Sequence, residues 1–201
     1  MTFRRLRDDK GSTIPLYVWL VGMLLFVAFV FFVFAKGAVA RNGAQSAADA
    51  AALAAAQEVR DELTEGFLGG LKAGDWDDWL DGDGFLGDGE AAAADLAAAN
   101  DSSLTSLDTG SLDGNPSFTA AVETNYTVGD SLIPGTENTR ANAEATAVIE
   151  PRCTVEVDID PAKDVKFTCD GSGPWEIDPK NPGEIADLPK AKDLFAVRLA
   201  D

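Results

Sequence analysis

Residues 14–56 read IPLYVWLVGMLLFVAFVFFVFAKGAVARNGAQSAADAAALAAA, and this stretch decides the fold. Its first part, Ile14 to Ala35, contains 22 residues and no charge. At about 1.5 Å per residue, a helix of this length covers the roughly 30 Å hydrocarbon core of a bilayer. The sequence therefore predicts one transmembrane helix over residues 14–35, with the lipid bilayer as its partner.

A cleaved secretory signal is the alternative interpretation of this run. Such signals have an apolar region of about 7–15 residues that ends at a small-residue cleavage site. The run here is longer and rich in Phe. The residues at its end, Ala35-Lys36-Gly37-Ala38, would match a small-residue cleavage site only with a lysine inside the site. A retained membrane span is favoured.

Positive charge is concentrated before the span. Only Lys36 and Arg41 follow it closely, and the preceding cations are Arg4, Arg5, Arg7 and Lys10. Because loops that remain in the cytoplasm carry the excess of Lys and Arg, we expect residues 1–13 to be cytoplasmic. The chain is then a single-pass protein of the cell membrane with its C-terminal part extracytoplasmic.

The composition excludes several classes of function. The net charge is -18, and residues 42–201 contain 10 Lys and Arg against 32 Asp and Glu, a balance of -22. Such a surface repels phosphate backbones, so nucleic-acid binding is not expected. The chain has no His and two Cys, which leaves few candidates for general-base or thiol chemistry. We therefore predict a protein that is not an enzyme and needs no cofactor.

The helix is predicted to continue beyond the membrane over residues 36–66, because the sequence is rich in Ala and free of Pro, and to end near Leu63 or Phe67. Arg41, Gln45 and Asp49 recur at four-residue spacing and form a polar stripe on this helix. We consider this stripe a candidate interaction site with a neighbouring protein.

A second face of the same helix consists mostly of small residues. They are Ala44, Ala48, Ala51, Ala55, Val59 and Leu63. Small side chains permit close approach of another backbone. The face therefore packs either on the protein's own domain or on copies of itself, as in a pilus-like filament.

These features resemble a known family. A basic N-terminus, Gly11-Ser12 before the span, and the block from Gln45 to Ala54, QSAADAAALA, are similar to the TadE/TadG-like proteins of Flp (tight-adherence) pilus assembly, closest to the short actinobacterial TadG-related type. The resemblance implies a non-catalytic, minor-pilin-like component of a pilus or envelope assembly apparatus. Its implied partners are other assembly proteins, with self-association through the N-terminal helix as an option.

The region between the long helix and the β domain, residues 67–116, is predicted to be Gly- and Asp-rich loops with one short helix. The helix is expected over Glu90 to Asn100, and a polar loop over Asp101 to Pro116.

Within these loops, Asp81, Asp83 and Glu90 match the third, fifth and twelfth positions of a calcium loop. Trp79 occupies the first position, which is normally Asp. A solvated turn is therefore favoured over a metal site, and these three residues are weak metal candidates.

Residues 117–201 are predicted to form an antiparallel β domain. Apolar residues alternate with polar ones over Phe118 to Val128 and over Ala141 to Ile149, which indicates two paired strands. From Asp170 onward Pro is frequent, so regular structure is expected only in residues 191–200, as a strand or a short helix.

A second hairpin joins Arg152–Asp160 to Val165–Cys169. One register sets Cys153 opposite Cys169, Val155 opposite Phe167, and Val157 opposite Val165, with the apolar partners on one face. A Cys153–Cys169 disulfide is thus predicted, and an extracytoplasmic location would supply the oxidising compartment. Two free thiols are the alternative.

The sequence as a whole predicts an α+β fold: a long N-terminal helix followed by a small antiparallel β domain with a short helix. The sequence leaves three functions open. They are a pilus or envelope assembly component, a solitary membrane-anchored acidic surface protein that recruits a partner, and a calcium-binding or carboxylate-based enzyme. The enzyme is disfavoured because paired carboxylates need a shaped, partly apolar pocket for acid–base chemistry, and here they lie in Gly-rich, solvated sequence.

Proteolytic processing gives a direct test. Family members that prepilin peptidase cleaves carry Glu five residues into the mature chain, whereas that position after Gly11 is Leu16. We expect the membrane-extracted protein to begin at Met1 when its intact mass is measured. A mass that corresponds to a start at Ser12 would contradict this expectation.

Overall fold

A computed structural model of the chain describes residues 13–82, 87–127, 138–155, 165–178 and 188–200. The fold is α+β, as predicted: a long helix, antiparallel sheets and short helices. The helices are α1 (Thr13–Ala73), α2 (Trp76–Leu80), α3 (Glu90–Ala99) and α4 (Ala191–Leu194). The strands are β1 (Ser102–Leu112), β2 (Asn115–Thr127), β3 (Arg140–Pro151), β4 (Cys153–Val155), β5 (Val165–Cys169), β6 (Gly173–Ile177) and β7 (Phe195–Leu199).

The first part of α1 is long and apolar enough to cross a membrane. No residue in its most apolar 18-residue window is buried by the rest of the protein. Its large apolar side chains, from Ile14 to Phe34, are exposed. Such a surface is unfavourable in water and suits lipid. The basic segment before the helix lies outside the described residues.

Helix α1 extends past its predicted end near Leu63 or Phe67 and finishes at Ala73. Phe67 and Leu71 continue the buried face of Leu63 at four-residue spacing, so burial favours the additional turns. The residue that follows the helix, Gly74, has a φ of 84°. Its N–H donates to the carbonyl of Gly70 at 2.8 Å, a common way for a helix to finish.

A four-stranded antiparallel sheet in the order β1-β2-β3-β7 packs on α1. The predicted pairing of its central strands is confirmed, with Phe118 opposite Ala147 and Ala120 opposite Ala145. The side chains of Phe118 and Ala120 are buried on the face that meets the helix.

Strand β1 corrects the prediction of a polar loop over Asp101 to Pro116. It pairs with β2 over its whole length, with a bulge between Leu104 and Ser106. It is an edge strand, and only Leu104 and Leu107 pack against the core. Such a strand carries little apolar periodicity in its sequence, because most of its side chains face solvent.

The small-residue face of α1 packs on the protein's own sheet and on α3. All six of its predicted residues are fully buried; they are Ala44, Ala48, Ala51, Ala55, Val59 and Leu63. Helix α3 approaches the same face closely through Gly89. A Cβ on Gly89, whose φ is 71°, would lie 2.6 Å from the backbone of Ala55. Of the two predicted uses of this face, the structure shows the one within the protein.

A three-stranded sheet, in the order β4-β5-β6, packs at the end of α1 that is distant from the span. Cys153 pairs with Cys169 and Val155 with Phe167, in the predicted register, and the two cysteines form a disulfide. The predicted pairing of Val157 lies outside the described residues. Strand β6 lies in a region predicted to be sparse in structure. It forms because Trp175 stacks on Phe167 of β5, with ring centroids 6.4 Å apart.

The stretch after residue 67 was predicted to be a loop, and the structure shows a helical connection instead. Helix α2 lies against the end of α1, and Trp76 is fully buried there. Its ring lies 6.2 Å from Phe67 and 5.8 Å from Phe167. Two glycines permit this contact: the ring of Trp79 occupies the space of a side chain at Gly66, and the backbone of Trp76 lies at Gly70.

The last segment contains both of its predicted alternatives, a short helix and a strand. Helix α4 leads directly into β7, which pairs with β3 from Ala147 to Pro151. Arg152 connects this end to the second sheet, because its guanidinium donates to the carbonyls of Lys192 at 3.0 Å and Asp170 at 2.8 Å.

The contact between Gly66 and the Trp79 ring predicts that alanine substitutions at Gly66 and at Gly69 differ in their effect on stability. Gly66→Ala and Gly69→Ala gain the same helix propensity, about 1 kcal/mol. Only Gly66 faces a ring, whereas a Cβ at Gly69 meets nothing within 4 Å. We therefore expect Gly66→Ala to be less stable than Gly69→Ala by about 1–3 kcal/mol. Urea denaturation in detergent micelles, followed by tryptophan fluorescence, measures this difference. Equal stability of the two variants would contradict the described position of Trp79.

Candidate functional site

The predicted polar stripe of α1 lies beside the edge of the four-stranded sheet. The side-chain amide of Gln45 donates to Oδ1 of Asp49 at 2.8 Å, one turn further along the helix. The same nitrogen lies 3.4 Å from the backbone carbonyl of Glu144 in β3 and donates to it. The structure thus joins Gln45 to the sheet and to Asp49, while Arg41 is exposed one turn nearer the span.

The Glu144 carbonyl belongs to an open part of the β3 edge. The last pair between β3 and β7 is Ala147 with Leu199, and the N–H of Ala200 donates to the carbonyl of Thr146 at 2.8 Å. Backbone groups of alternate residues point to the same side of a strand, so the Glu144 carbonyl comes next on this edge. Gln45 therefore binds the backbone acceptor that follows Thr146 on this side of β3.

An open cleft of about 380 Å³ lies between the helix and this edge. Its lining residues are Gln45, Asp49, Thr119, Glu144, Ala145, Thr146, Leu199 and Ala200. The hydroxyls of Thr119 and Thr146 are hydrogen-bonded to each other across β2 and β3 at 2.8 Å. The cleft thus presents amide, hydroxyl, carboxylate and backbone groups. These are the groups with which a protein binds an extended polypeptide segment.

A second cleft, of about 520 Å³, lies between α1 and the start of α3 and is strongly acidic. Its carboxylates are Glu58, Asp61, Glu62, Glu65, Asp88 and Glu90. The carboxylate of Glu62 accepts hydrogen bonds from the N–H of Gly87 at 3.0 and 3.3 Å, which fixes the chain entering α3. Asp61 forms an ion pair with Arg60 at 2.8 Å.

The three weak metal candidates lie in different surroundings. Asp81 is the C-terminal cap of α2, Glu90 begins α3 and lines the acidic cleft, and Asp83 is outside the described residues. Within the part of the chain that the structure describes, there is no group of three or more His, Cys, Asp or Glu side chains that could hold a metal ion.

The sequence indicated the two helix residues of the Gln45 cleft but not its sheet side. The four-residue spacing of Gln45 and Asp49 predicts that they lie on the same side of the helix. The acceptor at Glu144 is a backbone carbonyl, which has no signature in the sequence. Its position beside Gln45 depends on the packing of α1 on β3, which brings together segments that are distant in the chain.

A comparison with family models gives one match. Residues 11–58 match the putative Flp pilus-assembly TadE/G-like family. No curated protein and no solved structure matches the chain. The predicted resemblance to the TadE/TadG-like family is thus confirmed over these residues, and that family suggests a component related to Flp pilus assembly. The matched segment covers the apolar part of α1, the polar stripe and most of the small-residue face.

The surroundings of the metal candidates predict a weak response to calcium. We expect calcium up to about 1 mM, within the range of extracellular calcium modules, to leave the tryptophan fluorescence and melting temperature nearly unchanged. A fluorescence titration with Trp76 and Trp79 as reporters checks this. A saturable change that disappears in the double variant Asp81→Asn, Asp83→Asn would contradict it and support a calcium site.

Proposed function

We propose that the chain is a non-catalytic, minor-pilin-like component of a Flp (Tad)-type pilus or envelope assembly apparatus, and that it acts through contacts of its helix and its α+β domain. One observation carries the proposal: the family match lies on a single helix that continues from the apolar segment into the core of the domain.

The proposed topology places the N-terminus in the cytoplasm and the domain outside. It rests on the four cations before the span against Lys36 and Arg41 after it. The disulfide between Cys153 and Cys169 supports the same topology, because disulfides persist in oxidising compartments.

The burial pattern restricts how partners reach the helix. The small-residue face is covered by the protein's own sheet and α3, so it is not free for a neighbouring copy. The surfaces left on α1 are the apolar span, the polar side with Gln45 and Asp49, and the acidic side with Glu58 and Glu65. We place self-association, if it accompanies assembly, in the span, and contacts with other assembly proteins at the Gln45 cleft.

A solitary acidic surface protein is the second candidate, and the acidic cleft between α1 and α3 favours it. Six carboxylates around one opening attract a cationic partner by long-range electrostatics. The two candidates use different faces of α1, so variants can distinguish them.

The test is co-purification of the tagged full-length chain from the membranes of its own host. The triple variant Arg41→Ala, Gln45→Ala, Asp49→Ala removes the polar stripe. A matched control, Gln57→Ala, Arg60→Ala, replaces a glutamine and an arginine of the same helix away from the Gln45 cleft. We expect the first variant to lose assembly partners several-fold and the control to retain them, with both in the membrane and disulfide-bonded.

Two outcomes would contradict the proposal. Unchanged partners in the stripe variant would show that the stripe is only a solvated face. Loss of partners at high salt and in Glu58→Gln, Glu65→Gln, but not in the stripe variant, would favour the acidic surface protein. The genomic neighbourhood gives an independent check: we expect a secretion ATPase and small membrane proteins of the same system beside the gene.

A further inference from the structure

A third cleft lies where the apolar segment of α1 meets the base of the domain. It has a volume of about 350 Å³. Its lining residues are Phe32, Ala35, Lys36, Val39 and Ala40 of α1, and Tyr126 and Thr127 at the end of β2. The cleft therefore begins inside the predicted span, which ends at Ala35, and reaches the last described residues of β2.

The direction of β2 brings this end of the sheet to the membrane. At the start of β2, Pro116 lies beside Gly82, near the distant end of α1. At its other end, the hydroxyl of Tyr126 occupies the space of a side chain at Gly43 of α1. Strand β2 thus runs back along the helix toward the span, and Thr127 is its residue nearest the bilayer.

The geometry of α1 determines the distance between the hydrocarbon core and the base of the domain. Ala40 is five residues beyond Ala35, so it lies about 7.5 Å further along the axis. The polar headgroup region adds roughly 5–8 Å on each side of the hydrocarbon core. Tilt of the helix shortens the distance from the core further. The base of the domain, from Lys36 to Tyr126, therefore falls at the depth of the headgroups.

The chemistry of the cleft suits that depth. Val39 lies beyond the apolar run and is 69% exposed, Phe32 is 59% exposed and Tyr126 is 38% exposed. The ammonium group of Lys36 lies 5.4 Å from the centroid of the Phe32 ring. A lysine stem along apolar surface with its charge at the headgroups, next to an amphipathic Tyr, is the arrangement found at membrane interfaces.

We propose that the base of the domain is seated in the phospholipid headgroup layer and that this cleft binds one anionic phospholipid. The glycerol and upper acyl chain contact Phe32, Val39 and the Tyr126 ring, and the phosphate pairs with Lys36. The domain then rests directly on the bilayer, without a stalk. This inference requires the span of the proposed function and adds a second membrane contact to it.

Depth measurement by spin labelling tests the seating. The full chain is reconstituted in nanodiscs of phosphatidylcholine and phosphatidylglycerol, without reductant, so that the native cysteines stay paired. Single labels are placed at Thr127→Cys, at Ser111→Cys on the opposite end of the sheet, and at Leu24→Cys within the span. We expect the Thr127 label to be several-fold less accessible to a water-soluble nickel chelate than the Ser111 label, and the Leu24 label to be in lipid.

Each other outcome has a distinct meaning. If the Thr127 label is as accessible to nickel as the Ser111 label while the Leu24 label is in lipid, the seating is wrong and the span stands. If the Leu24 label is also in water, the membrane anchor of the proposed function fails. Dipolar broadening at Thr127 that disappears on dilution with unlabelled protein would show a second copy at the cleft, and would overturn the lipid assignment.

The lipid itself is tested by native mass spectrometry of the same nanodisc protein. Lys36→Gln removes the charge in the cleft, and Arg41→Gln removes an equal charge one turn away that does not line it. We expect bound phosphatidylglycerol to fall several-fold in Lys36→Gln and to persist in Arg41→Gln. An equal loss in both variants, or in neither, would overturn the binding site.

Discussion

Close packing of small side chains between α1 and the sheet is the constraint on which the rest of the structure depends. Ala48, Ala51 and Ala55 of the helix are fully buried, and the strands present Ala120 and Ala147 to the same core. With methyl groups on both sides, helix and sheet backbones approach closely and at native packing density. A larger side chain at these positions would separate the two layers.

This packing determines which surfaces are left for other molecules. It covers the helix face that would otherwise be suited to a neighbouring helix. It also turns the polar side, with Gln45, toward the open edge of β3, and the acidic side, with Glu58 and Glu65, toward the start of α3. The apolar part of α1 before Lys36 is left uncovered, and it is long and apolar enough to span a membrane. The helix thus presents three chemically different surfaces along one axis.

Aromatic rings pack at the C-terminal end of α1, whereas alanine side chains pack along its middle part. Phe67, Trp76, Phe167 and Trp175 form a chain of ring contacts from α1 through α2 into the second sheet. The disulfide crosses the β4–β5 pair beside them. The rings and the disulfide add to the strand pairing of this sheet in holding this part of the domain together.

The sequence by itself determined those features whose physical cause is local. A charge-free run of 22 residues requires a helix of membrane length, the Ala-rich block continues it, and alternation over β2 and β3 sets their pairing. The register of Cys153 and Cys169 follows from the same alternation, and the contact of Gln45 with Asp49 follows from helical spacing.

The tertiary structure alone decided the features that depend on contacts between distant segments. Gly70 lies in the stretch that the sequence predicts to be a loop, but it belongs to α1, and the backbone of Trp76 occupies the space beside it. Strand β1 is polar because it lies at an edge, and Gln45 reaches the carbonyl of Glu144 because α1 packs along β3. In each case the partner is remote in the chain, so no local pattern reports it.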